Sequence, residues 1–64
     1  MDREEFLKYV NKNFNISGDA QRLIDNILQY AERIVDLDER REFLSDTLMY
    51  TIGLTEEEIK KITL

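Results

Sequence analysis

No cysteine, histidine, proline or tryptophan occurs in these 64 residues, and glycine occurs only twice. Each absence removes a class of chemistry. Without cysteine there is no disulfide staple, no thiolate metal site and no thiol nucleophile. Without histidine the usual neutral-pH base and the commonest metal ligand are missing. Without proline, breaks in regular structure fall to Gly18 and Gly53. No apolar run approaches the roughly 20 residues of a membrane span, and the first residues are acidic rather than signal-like. The expectation is a cytoplasmic protein with no membrane partner.

What is present is charge. Fourteen acidic residues face nine basic ones, a formal net charge of −5. Such a surface repels nucleic acid at long range and steers towards basic partners. Charge of this size also serves solubility alone. The length predicts a single helical domain over residues 1–64. A domain this small buries only about 60% of the surface its unfolded chain exposes. It needs well-capped, well-packed helices or self-association to stay folded.

No alternating apolar run demands a strand, so the expected fold is all-α: a small bundle of three main helices plus a short C-terminal fourth. The first helix is predicted from Arg3 to about Lys12. Asp2 is its cap, Met1 and Phe6 sit in staple positions, and Leu7, Val10 and Phe14 continue the apolar stripe. The asparagines, Ser17 and Gly18 then favour a turn, with Phe14 and Ile16 tucked back on the core. The second helix starts at Ser17 or Asp19 and reaches about Val35. Leu23, Ile24, Ile27, Leu28, Ala31, Ile34 and Val35 recur at threes and fours, a stripe wide enough for two neighbours. The third starts at Asp36 or Asp38 and runs to Ile52, with Leu44, Leu48 and Ile52 inward. The expected core is Leu23, Ile27, Leu28, Ala31, Ile34, Leu44, Leu48, Ile52 and Ile59.

The stretch from Ile52 to Ile62 reads as a corner. Gly53 suits the left-handed residue that ends a helix, and Leu54 suits the apolar closure of a Schellman ending against Met49. Thr55 and Glu58 have capping-box spacing, and Leu54 and Ile59 have staple spacing. Glu56, Glu57 and Glu58 complement the unpaired N–H groups of the first turn, and Lys60 and Lys61 suit the other end. With Met49, Gly53 and Ile59 at the signature positions and Leu48, Leu54 and Ile62 at apolar ones, this last third of the chain resembles a DNA-binding helix-turn-helix. Met49 departs from that pattern, which wants a small residue. The resemblance implies that Thr55, Lys60 and Lys61 contact DNA. The glutamates argue against it, because they neutralise no phosphate.

Catalysis finds no machinery, and no cofactor is expected. The carboxylates lie on solvent arcs, the hydroxyls have no histidine to activate them, and no glycine-rich phosphate loop exists. Asp36, Asp38, Glu39 and Glu42 cluster at one boundary but do not form a calcium loop. The expectation is therefore no enzyme and no metal.

The aromatic residues are more suggestive. Tyr9, Tyr30 and Tyr50 each sit at the edge of an apolar stripe, and tyrosine suits binding surfaces. Phe43 and Tyr50 share one face of helix three, with Thr47 between them and Asp46 beside them. These four are the expected partner-binding residues. The function expected is that of a non-catalytic regulator or adaptor that binds a protein by occlusion or recruitment, a basic partner suiting its charge. Helix three would supply affinity while carboxylates orient the encounter. Homodimerisation through the same ridge is the simplest variant. The alternatives are a DNA-binding regulator and an acidic inhibitor that mimics nucleic acid.

Overall fold

In the computed structural model, which describes residues 1–63, the chain forms α1 (Arg3–Asn13), α2 (Gly18–Glu32), α3 (Leu37–Ile52) and the short α4 (Glu56–Lys60). No strand occurs among the described residues, and none of their helices is long and apolar enough to cross a membrane. Each helix starts on a side chain that accepts an otherwise unpaired backbone N–H. Asp2 accepts from Glu5, Ser17 from Ala20, Asp36 from Glu39 and Thr55 from Glu58. Four short helices are each costly to nucleate, and a cap contributes about 1 kcal/mol to each start.

Packing follows chain order: α1 lies on α2, α2 on α3, and α3 on α4. One contiguous core joins them, built from Phe6, Val10, Ile24, Ile27, Leu28, Ala31, Leu44, Leu48, Leu54 and Ile59. Met1, Phe14 and Ile16 pack against it, so the loop after α1 folds back as expected. The ends of the described chain are stitched together by backbone. The Met1 amine donates to the Lys61 carbonyl, and the Met1 carbonyl accepts from the Thr63 N–H at 2.6 Å.

Three expectations are corrected. First, α2 stops at Glu32, not near Val35. The Arg33 and Ile34 N–H groups bond three residues back, to the Tyr30 and Ala31 carbonyls, which tightens the last turn. Arg40 reaches back from α3 and donates to the Ile34 carbonyl at 2.8 and 3.0 Å, and to that of Glu32 at 3.5 Å. Carbonyls freed by the end of α2 are thus satisfied by a side chain whose position only the tertiary fold determines.

Second, Leu23 is not core but 50% exposed, and Ile34 and Ile52 are only half-buried. The centre of the α2 stripe is Ile24, Ile27, Leu28 and Ala31, which leaves Leu23 on its edge. Phe6, Val10 and Leu54 join the core instead. Third, α3 does not show the Schellman ending. Gly53 takes φ 71° and its N–H bonds the Met49 carbonyl at 3.1 Å, the single bond of the simpler left-handed ending. The short fourth helix expected at the C-terminal end is α4, five residues long.

Candidate protein-binding surface

Two places on this scaffold could do more than hold it together. They are the corner from α3 into α4 and the seam between α2 and α3.

At the corner the residues are occupied. The Thr55 hydroxyl accepts from the Glu58 N–H at 3.3 Å, and the Glu58 carboxylate accepts from the Thr55 N–H at 3.1 Å, a complete capping box. The other Glu58 oxygen accepts from the Tyr9 hydroxyl at 2.6 Å, so α1 holds α4 through the cap itself. That bond, with the Thr55 N–H bond second, holds the Glu58 carboxyl below the usual carboxylate range. The same bond, with burial and the Glu58 charge, pushes the Tyr9 phenol up. Each group stabilises the form of the other that makes the bond. Leu54 and Ile59 are buried beneath this network. Of the candidate DNA-contacting residues, Thr55 is engaged in the cap, while Lys60 and Lys61 are exposed at the far end of α4.

At the seam, the four candidate residues of α3 divide. Phe43 and Thr47 are half-buried. Phe43 packs on the core and meets the Tyr30 ring of α2, centroids 5.1 Å apart and planes tilted by 44°. The Thr47 hydroxyl donates to the Phe43 carbonyl at 2.6 Å, back along its own helix. Asp46 and Tyr50 face solvent, and Tyr50 is 91% exposed. No hydrogen bond, ion pair or ring contact to a described residue engages the Tyr50 side chain.

The seam is wider than α3 alone suggests. Tyr30 is 59% exposed, and Leu23 lies seven residues before it on the same edge of α2. Phe43 and Tyr50 are likewise seven apart on α3. Because two residues separated by seven share a helix face, two apolar lines meet where Tyr30 touches Phe43. Sequence reasoning placed Leu23 inside and treated Tyr30 as one edge aromatic among three. The signal that links them is their shared spacing of seven, which puts both on one margin of the α2 stripe.

Acidic residues border the α3 line. Glu39, Phe43, Asp46 and Tyr50 follow one another at intervals of four, three and four, so carboxylate and ring alternate along a single stripe. Among the described residues the ion pairs are Arg3 with Asp25, Arg3 with Glu32, and Lys8 with Glu4. Glu39, Glu42 and Asp46 therefore keep their charges unpaired. The α2 margin is mixed, with Asp19 and Arg33 both exposed.

Neither known families, nor characterised proteins, nor solved structures offer a match to this chain. What it does must be argued from its own surface.

Proposed function

We propose that this protein is a non-catalytic binding module, a small cytoplasmic regulator or adaptor that holds a basic protein partner on the α2–α3 seam. The observation that carries the reading is Tyr50, 91% exposed on a helix whose other face is core. A ring left in water two turns from the contact between exposed Tyr30 and half-buried Phe43 forgoes burial worth about 25 cal/mol per Å² of apolar surface. A partner that covers Leu23, Tyr30 and Tyr50 together would recover it. Large aromatic side chains dominate such interfaces energetically. The unpaired Glu39 and Asp46 give the partner its sign: cationic groups beside the aromatic contacts would be steered in and held in register. Occlusion or recruitment of that partner is the functional consequence.

Self-association through the seam is the less favoured variant. A two-fold contact places the same patch on both sides. About an axis at α3 it would bring the Glu39 and Asp46 carboxylates of the two copies together, and like-charge contacts of this kind are costly. The nucleic-acid readings draw on less. The corner that resembles a DNA reader carries three glutamates at the start of α4, and a mimic of nucleic acid needs denser charge than −5 over four helices.

The test compares crosslinked capture from the native cell by the wild-type chain and by Tyr50→Ala and Asp46→Lys. The expected result is a polypeptide retained by the wild type, lost from both variants, and crosslinked next to residues 30, 43 and 50. Undiminished capture by both variants contradicts the reading. Duplex DNA retarded at low salt, and released by changing Lys60 and Lys61, would replace it with the DNA-binding alternative.

A further inference from the structure

The seam also constrains the form of what binds there. We infer that the partner docks as an amphipathic α-helix, with Lys or Arg side chains seven residues apart along the flank that faces α3. This rests on the protein-binding reading above and goes on to specify the partner's secondary structure.

Three observations point to a helix. The first is spacing. Glu39 and Asp46 are seven residues apart, about 10 Å along α3 at 1.5 Å per residue, and Phe43 and Tyr50 repeat that interval. A helix laid along α3 has the same rise, so its own side chains at threes and fours match the stripe over several turns. The second is what the seam lacks. Among the described residues there is no strand edge, so an extended partner has no backbone ladder to join.

The third is hydrogen bonding. The Thr47 hydroxyl is already donating within α3. Leu23 and Phe43 have no polar side-chain atoms. The Glu39 and Asp46 carboxylates and the Tyr30 and Tyr50 hydroxyls could pair only some of the backbone groups that an extended or polyproline chain would bury here, and each one left unpaired carries a real cost. A helix arrives with its backbone bonds already made. Acceptance then depends on side chains alone: apolar residues between Leu23, Tyr30, Phe43 and Tyr50, and cations over Glu39 and Asp46. The mixed α2 margin asks no particular charge of the opposite flank.

The experiment uses two synthetic peptides of identical composition. One places leucines at alternating intervals of three and four, with lysines seven apart beside them. The other arranges the same residues with a period of two, which no helix can present as a stripe. Each is titrated into the intact chain at low ionic strength, with affinity, amide shifts and peptide circular dichroism recorded. The helical design is expected to bind at least about tenfold tighter than the other, and tenfold corresponds to about 1.4 kcal/mol. It should gain helicity and shift amides around Leu23, Tyr30, Phe43 and Tyr50. Tyr50→Ala, and separately Asp46→Lys, should weaken it by about tenfold while leaving the unfolding midpoint in place.

Equal binding of both peptides at the seam overturns the helix inference and leaves the protein-binding reading standing. Binding elsewhere, no binding, or indifference to both substitutions overturns the two together.

Discussion

Leu54 and Tyr50 lie four residues apart and have opposite fates. Leu54 is 1% exposed and Tyr50 is 91% exposed. Around Leu54 nearly every side chain serves the fold. Gly53 turns the chain, Thr55 and Glu58 cap α4, Tyr9 secures Glu58, and Ile59 packs below. Among the described residues, none makes a hydrogen bond, ion pair or ring contact with the Tyr50 side chain. The corner resembles a functional motif and is explained by folding. At the seam, folding accounts for Phe43, which packs on the core, and leaves Leu23, Tyr30 and Tyr50 largely exposed. Single exposed apolar side chains are ordinary, and the seam is proposed as a site because Leu23, Tyr30 and Tyr50 are exposed on it together.

That contrast breaks if the corner proves dispensable or the seam proves structural. The largest effect should come from Leu54→Ala, which empties a buried site and should cost about 2–5 kcal/mol. A core of this size rarely supplies more than about 3–5 kcal/mol, so the variant should be largely unfolded by circular dichroism at 37 °C. Gly53→Ala should cost about 1–2 kcal/mol in urea unfolding. Its φ of 71° disfavours a Cβ, and nothing stands within 4 Å of where that Cβ would go. The penalty is thus conformational, and Gly53→Asn should recover part of it. If alanine is tolerated there, the left-handed ending is not what shapes the corner. Thr55→Ala removes a cap and should cost about 1 kcal/mol by the same measurement.

Tyr9→Phe should destabilise by less than Thr55→Ala, and its effect should depend on pH. Glu58 titrates low in the folded protein, so its contribution is present above its unfolded pKa and is lost as pH falls through the lower folded value. Tyr9 titrates high, so its contribution is present below the unfolded phenol pKa and is lost as pH rises through the folded value. The gap between wild type and Tyr9→Phe should hold across neutral pH and close towards both extremes. A gap independent of pH would mean that the bond does not secure α4.

The smallest effect on stability should come from Tyr50→Ala, within about 0.5 kcal/mol of wild type. A loss comparable to that of Thr55→Ala would make Tyr50 a structural residue and remove the contrast.

Much of this was legible in the sequence. Asp2 and Thr55 mark the starts of α1 and α4 and, for α2 and α3, Ser17 and Asp36 are each one of two candidates, because capping chemistry is local and spans four residues. Gly53 marked the end of α3 for the same reason. What was not legible depended on contacts between distant residues. The end of α2 involves Arg40, eight residues beyond Glu32, and no glycine, proline or asparagine from Arg33 to Val35 announces it. Leu23 and Ile24 are adjacent and both apolar, and the spacing of seven that sets Leu23 with Tyr30 on the margin of α2 becomes decisive only once α1 and α3 are placed. The Tyr9–Glu58 bond joins residues 49 apart. The candidate site was half legible. Periodicity brought Phe43, Thr47 and Tyr50 to one face, but Tyr30 and Leu23 join them only when α2 packs on α3.

The most direct test of the contrast is a photoreactive phenylalanine analogue, which keeps an aromatic ring at the site, placed alternately at position 50 and position 60 of the chain in its native cell. From position 50, light should produce one discrete adduct with another polypeptide, lost when Asp46→Lys is added, and position 60 should produce no such adduct. An adduct of twice the chain's own mass from position 50 would identify the partner as a second copy. No adduct from position 50, or nucleic acid crosslinked from position 60, would contradict the assignment of function to the seam.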